Sequence, residues 1–279
     1  MVGKRMGTAY SETGGGCGKH TKKGRIWKFL FLKLPAALLV LSVAWVLLLK
    51  WCPVVVTPLM VQRSIEHIGD KSFHTHKKWV PYAKISPEMA RAVIASEDNL
   101  FEKHNGFDRK AFQDARREYQ TGRRKYLRGA STISQQTAKN VFLLPSRSYF
   151  RKGLEAYFTV LIELTWGKRR IMEVYLNVIE TGKGLYGVEA AARHLFNTTA
   201  AKLTRHQCCL ITACLPNPLR RNAAKPSRYV QGRAAQIERL ESKLHYADWI
   251  YHRKAQEKSR QQGWLRGESR KRNGKQQPG

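Results

Sequence analysis

Three short blocks concentrate the side chains of this chain that could do chemistry. Glu97 to Asp108 reads EDNLFEKHNGFD, Gly129 to Asn140 reads GASTISQQTAKN, and Arg151 to Glu155 reads RKGLE. They bring together the carboxylates of Glu97 and Glu155, the imidazole of His104, the paired amides of Gln135 and Gln136, and the cations Lys139 and Arg151. Such a mixture suits acid–base work on a sugar hydroxyl beside a phosphorylated leaving group. A carboxylate takes the hydroxyl proton, and fixed cations meet the anion that departs.

Each block also has an ordinary structural reading. An acidic pair at a helix end is usually solvated. Arg151 and Glu155, at i and i+4, could form a surface ion pair worth about 0.5 kcal/mol or less. The middle block shifts the balance. Helical spacing puts Thr132, Gln136 and Lys139 on one face. Solvated faces more often carry Lys and Glu than Ser-Thr and Gln-Gln, so this face is expected to line a cleft. Glu97 is expected at the C-terminal end of its helix, where the dipole disfavours a charged carboxylate, a condition that favours a general base. Asp98 and His104 are positioned to hold the following loop by hydrogen bonds.

The elements that must carry these residues read as helices. Ser86-Pro87-Glu88 supplies an N-cap, a proline at the first helical position and an acid in the first turn, and Met89, Ala92, Val93 and Ser96 follow at helical spacing. Further helices are expected from Ser131 or Thr132, over Ser148–Trp166, Arg169–Asn177, Val188–Phe196 and Arg205–Leu215, and over about Tyr229–Leu244. Pro216 and Pro218 stop the fifth of these. The body is mainly α, without a repeat period or a dominant alternating strand pattern.

The whole chain adds constraints. Its 279 residues carry a formal net charge of +31, which demands an anionic partner: membrane lipid, phosphorylated substrate or nucleic acid. Leu34 to Leu49 has no charged residue; extended by Phe29–Phe31 and Trp51, it reaches the roughly 20 residues that a bilayer requires. No small-x-small cleavage site follows, so the segment reads as an uncleaved anchor. Cations precede it, which puts the N-terminus in the cytoplasm and the body outside. The expected organisation is a basic tail over 1–28, an anchor over 29–51, a juxtamembrane connector over 52–78, a catalytic domain over 79–250 and a basic, disordered tail over 251–279. Of the five cysteines, Cys208, Cys209 and Cys214 lie in an apolar run without metal spacing and read as free core thiols.

Taken in order, ASEDNLFEKHNGFD, RGASTISQQTAKN, RKGLEA, RRIMEVYLN and LPNPLRRNAAKPS resemble the successive motifs of the peptidoglycan glycosyltransferases, the lysozyme-like family found in bifunctional penicillin-binding proteins. The likeness covers about Trp79 to Val230. GVEAAARHLF, LPNPLR and the lack of a transpeptidase-sized segment resemble the monofunctional biosynthetic transglycosylase branch, typical of Gram-negative bacteria; the unusually basic body and tail depart from it.

The resemblance implies a lysozyme-like domain behind a single membrane span. It would polymerise lipid II onto a lipid-linked glycan chain with inversion to a β-1,4 bond and release of undecaprenyl pyrophosphate. Glu97 would be the general base and Glu155 the second catalytic carboxylate, orienting Arg151 or holding a divalent cation. Asp98, Phe101, His104, Thr132, Gln136, Lys139 and Arg151 would bind substrate, with Lys139 and Arg151 on the pyrophosphate. Magnesium or another divalent cation on the pyrophosphate is compatible with this chemistry, and no organic cofactor is expected. The expected location is the inner membrane with the domain in the periplasm. Partners would be the membrane and other cell-wall synthesis or division proteins, not nucleic acid. Two rival classes stay open on residues alone. A lytic transglycosylase or lysozyme shares a catalytic glutamate but has no use for a pyrophosphate site. A basic membrane scaffold or nucleic-acid binder explains the charge but not Glu97 and Glu155 in these blocks.

Overall fold

A computed structural model describes residues 33–122, 131–146 and 148–251. The expectations for the N-terminal tail, the first residues of the anchor, Cys17, Gly129–Ala130 and the C-terminal tail lie outside the described residues. The chain divides into two compact units between Trp45 and Val46. The first is represented by most of α1 (Leu34–Trp51), the one helix among the described residues long and apolar enough to cross a membrane.

The second unit begins with the last turn of α1 and continues through α2 (Pro58–Glu66), β1 (His76–Lys77), α3 (Pro87–Glu97) and α4 (Arg109–Gln120). Then come α5 (Ile133–Phe142), α6 (Tyr149–Thr165), α7 (Gly167–Val178), β2 (Glu180–Gly182), β3 (Leu185–Tyr186), α8 (Val188–Phe196), α9 (Arg205–Cys214) and α10 (Arg228–Glu241). The strands form one small sheet in the order β1-β3-β2, parallel at β1/β3 and antiparallel at β2/β3. The fold is mainly α, as the sequence predicts.

Local chemistry sets the helix starts. Prolines occupy the first turns of α2 and α3, where a missing N–H costs nothing. Asp108, Ser148 and Ser227 accept backbone N–H bonds at the starts of α4, α6 and α10. Thr132/Gln135 and Thr204/Gln207 form reciprocal capping boxes on α5 and α9. Before α8, Gly187 has φ +80°, and a Cβ there would come within 2.7 Å of the Asn177 carbonyl oxygen, so only glycine lets the chain turn so close to α7.

Two packing groups meet at the site. α3 lies against α9 and α10 through Met89, Val93, Ile211 and Ile237, while α5 lies against α6 and α7 through Ile133, Ile162, Tyr175 and Leu176. All eight are essentially inaccessible to solvent; burying one such aliphatic side chain contributes about 1.5–3 kcal/mol. Tying the last turn of α1 to α7, the indole of Trp166 donates to the Val46 carbonyl at 2.8 Å and Arg170 donates to the Leu49 carbonyl at 2.7 Å.

Two helices were not anticipated. α2 lies within the expected connector. Six of the twelve residues of α4 are charged, and of its apolar stripe, Ala111, Phe112, Ala115 and Tyr119, only Ala115 is buried. The strands, of two or three residues, are too short to show alternation.

Candidate active site

Glu97 is the last residue of α3, and Asp98 is its C-cap, with a non-helical backbone. The loop after it is closed by a buried network. Asp98 Oδ1 faces His104 Nε2 at 2.8 Å, while its Oδ2 accepts the Ile133 N–H at 3.0 Å from the first turn of α5. The Gly106 N–H donates to His104 Nδ1 at 3.1 Å. That bond assigns the acceptor role to Nδ1 and leaves the Nε2 proton for Asp98. Thr132 Oγ1 donates to the Gly106 carbonyl at 2.7 Å and accepts the Gln135 N–H at 3.1 Å. Gly106 itself is at φ +85°, where a Cβ would come within 2.7 Å of Thr159.

Asp98 and His104 therefore hold the loop, as their spacing predicts. Thr132 differs from expectation. It is the N-cap of α5 and not a member of the helix face with Gln136 and Lys139; its hydroxyl is buried against Gly106. Phe101 is fully enclosed, with the Lys168 ammonium 4.7 Å from its ring centroid. Lys168 also donates to the His104 carbonyl at 2.6 Å and to Glu163 at 2.7 Å. In this arrangement Phe101 shapes the backbone from beneath the surface, while Asp98 and Thr132, themselves largely buried, hold it at the wall of the cleft that Glu97 lines.

The Glu97 carboxylate is held from two sides. Gln136 Nε2 donates to Oε2 at 3.3 Å, and Ser96 Oγ donates to Oε1 at 3.1 Å. The amide is oriented in turn by Tyr175, whose hydroxyl donates to Gln136 Oε1 at 3.2 Å. Tyr175 keeps its proton because burial, reinforced by the negative charges of Glu97 and Asp98, raises its pKa well above the ordinary phenol value. Each carboxylate oxygen retains acceptor capacity after one such bond. Glu97 lines a cleft of about 490 Å³ together with Ser96, Asn99, Asp108, Lys110 and Arg233.

A second pocket, of about 400 Å³, is lined by Leu59, Lys139, Asn140, Leu143 and Arg151 among others. Gln136 and Lys139 are three residues apart on α5, a rise of about 4.5 Å, so one short helix serves both the carboxylate and the cationic pocket. On α6, Arg151 Nη1 donates to Glu155 Oε2 at 2.7 Å and Lys152 bonds the other carboxylate oxygen. Glu155 is buried, which is not the surface ion pair its spacing alone would allow. Lys139 is exposed, yet withdrawal of its ammonium from water by the surrounding protein lowers its pKa; Glu155 opposes this, and Arg151 and Lys152 add to it.

The transglycosylase family profile matches residues 62–241, which include the Glu97 cleft and all of the second pocket's named lining except Leu59. The chain belongs to the transglycosylase family. It is 59% identical over 197 residues to a biosynthetic peptidoglycan transglycosylase of Bacteroides thetaiotaomicron, covering 70% of this chain and 78% of that protein. Proteins of the same name from Bdellovibrio bacteriovorus and Caulobacter vibrioides are 53% identical over 197 residues and 51% over 213, covering 70% and 76% of this chain and 78% and 90% of theirs. The chain is thus a glycosyltransferase of peptidoglycan synthesis, and the scaffold and nucleic-acid readings fall away.

Sequence reasoning missed several residues that shape this transglycosylase site. Ser96 and Lys152 adjoin residues singled out in the motifs. Tyr175 lies within the RRIMEVYLN motif, although nothing in its spacing tied it to Gln136. Arg233, 136 positions beyond Glu97, gave no local signal at all.

Proposed function

We propose that this transglycosylase polymerises lipid II, the growing glycan chain on undecaprenyl pyrophosphate being the donor. The observation that carries the reading is the division of labour along α5. Gln136 holds the Glu97 carboxylate at one cleft, and Lys139 joins Arg151 in the neighbouring cationic pocket. Glu97 accepts the proton of the acceptor 4-hydroxyl as that oxygen attacks the donor anomeric carbon. The bond from that carbon to the pyrophosphate oxygen breaks, and the β-1,4 bond forms with inversion. An inverting glycosidase needs a second carboxylic acid to protonate a sugar leaving group. Pyrophosphate leaves as an anion and needs positive charge instead, which Lys139 and Arg151 supply as a point charge and a planar fork. Glu155 positions Arg151 from beneath. These two requirements favour polymerisation over lytic cleavage.

A resident metal does not fit the residues present. Both Glu155 oxygens are engaged by cations, and no three His, Cys, Asp or Glu side chains converge on one point among the described residues. A divalent cation would have to arrive with the pyrophosphate.

Two features support membrane attachment: α1 itself and the apolar segment next to it. Beyond Trp51, the side chains of Val55, Val56, Val61, Ile65 and Ile68 form an exposed apolar surface, suited to the interface of the bilayer in which the lipid substrate resides. The cations before the span favour a periplasmic domain on the inner membrane. The deciding experiment incubates full-length protein with labelled lipid II in bilayers, with magnesium or with chelator. Long glycan strands from wild type and none from Glu97→Gln support the reading. Release of soluble fragments from finished sacculi, without polymerisation, would overturn it.

A further inference from the structure

Arg233 approaches Glu97 through a single intermediary. Its Nη2 donates to Ser96 Oγ at 3.2 Å, and Ser96 Oγ donates to Glu97 Oε1 at 3.1 Å. The contact joins α10 to the end of α3 across 137 residues of sequence. Two further features distinguish this arginine. Among the described residues its guanidinium pairs with no carboxylate; its other bond, Nη1 to Gln236 Oε1, is 3.4 Å long and stays within α10. It is also half-buried and lines the same 490 Å³ cleft as Ser96 and Glu97.

We propose that Arg233 is a positioning residue for the transfer reaction, acting through the Ser96 hydroxyl to fix the Glu97 carboxylate. The inference rests on Glu97 being the general base. Free to rotate, a serine hydroxyl next to a carboxylate can equally turn toward solvent or the backbone. A guanidinium on the oxygen side of Ser96 occupies its acceptor position, leaving the proton to point at Glu97, and polarises the hydroxyl into a stronger donor. Ser96 and Gln136 then grip opposite oxygens of one carboxylate, so the acceptor hydroxyl meets it at a fixed angle.

The backbone of α10 supports this placement. Ser227 caps the helix, Val230, Ala234 and Ile237 are buried, and buried Glu241 at its end is bonded by Arg205 at 3.0 Å and approached at the same distance by Arg91. Arg233 therefore projects from a rigid element, which a positioning residue requires.

The test compares full-length wild type with Arg233→Ala, Arg233→Lys, Ser96→Ala, the Ser96→Ala/Arg233→Ala double variant and Glu97→Gln in a lipid II polymerisation assay. Circular dichroism and thermal melting confirm folding. Misorientation of a reacting group can cost up to about 100-fold; with Gln136 still in place, Arg233→Ala should lower kcat about tenfold and leave KM within about twofold. Lysine should recover part of the loss. Guanidinium at non-denaturing concentration should restore rate to Arg233→Ala, but not to the double variant, which should be no slower than the worse single variant. A raised KM at unchanged kcat would instead make Arg233 a substrate ligand and overturn the inference. Full additivity of the two substitutions, or wild-type turnover in Arg233→Ala, would overturn it as well. Activity retained by Glu97→Gln would refute the general-base reading itself, a separate outcome.

Discussion

Tyr175 and Glu97 never touch, yet the amide of Gln136 joins them: its oxygen accepts from the phenol at 3.2 Å and its nitrogen donates to the carboxylate at 3.3 Å. Burial keeps the phenol protonated, and it donates that proton to the amide oxygen. The bond favours the amide orientation that presents the nitrogen to Glu97. Tyr175→Phe removes the orienting bond while keeping the ring that fills the core, so the amide can flip and present its oxygen to Glu97. Polymerisation should fall several-fold with little change in melting temperature, because a misaligned catalytic group loses rate without loss of packing. Unchanged turnover, measured with labelled lipid II, would show that Gln136 needs no guide.

The cationic pocket yields a prediction in pH. Lys139 has a pKa below that of an ordinary lysine, chiefly through loss of hydration. A lowered pKa means that the proton leaves at lower pH, so the charge offered to the pyrophosphate should be lost on the alkaline side earlier than an ordinary lysine would lose it. Arginine stays charged throughout this range. In a pH–rate profile, Lys139→Arg should retain activity and move the alkaline limb upward. An unmoved limb would assign it to another group. Lys139→Ala and Arg151→Ala should each slow turnover strongly at all pH values, because the departing charge loses a dedicated partner.

How much of the fold and site was legible in the sequence depended on range. Helix starts were readable because Pro87 at the first position of α3, after an N-cap Ser86 whose side chain makes no capping bond, and the Thr-x-x-Gln box at Thr132 act within one turn. The same box explains why Thr132 left the expected face: a residue that caps a helix turns its side chain back to the backbone and cannot share the stripe of Gln136 and Lys139. Glu97, Gln136, Lys139, Arg151 and Glu155 could be nominated because their blocks are dense in reactive side chains. Their partners could not. Tyr175 meets Gln136 over 39 residues, and Arg233 meets Ser96 over 137; no local periodicity encodes such contacts. α4 escaped notice for a different reason, since half of its residues are charged and Ala115 is its one buried residue.

The cysteines separate cleanly by environment. Cys208, Cys209 and Cys214 are free and buried, and burial pushes the Cys209 and Cys214 thiols up to about 12 and about 11 and that of Cys208 higher still. At pH 8 all three remain protonated, and the thiolate is the reactive form. Iodoacetamide should therefore modify exposed Cys52 in the folded protein and reach the other three only after unfolding. Peptide mass spectrometry distinguishes these states. Labelling of Cys209 or Cys214 under native conditions would mean that α9 opens locally.

Membrane attachment should divide into two parts with different salt dependence. Removing residues 1–45 deletes most of the apolar helix α1 but spares its last turn, to which Trp166 and Arg170 bond, and leaves the basic body and the exposed apolar side chains from Val55 to Ile68. Cations close to an anionic bilayer contribute about 1 kcal/mol each, and salt screens that attraction within a Debye length. Apolar contacts are not screened. The truncated protein should stay folded, polymerise bilayer-embedded substrate slowly because its effective concentration in the plane is lost, and leave anionic vesicles as salt rises, while the full-length chain stays bound. Adding Ile65→Asp and Ile68→Asp to the truncation should lower the salt needed for release, if these side chains enter the interface. Vesicle flotation over a salt series measures both effects. Retention of the truncated form at high salt, abolished by the two substitutions, would show that the juxtamembrane apolar surface and not charge carries the residual attachment.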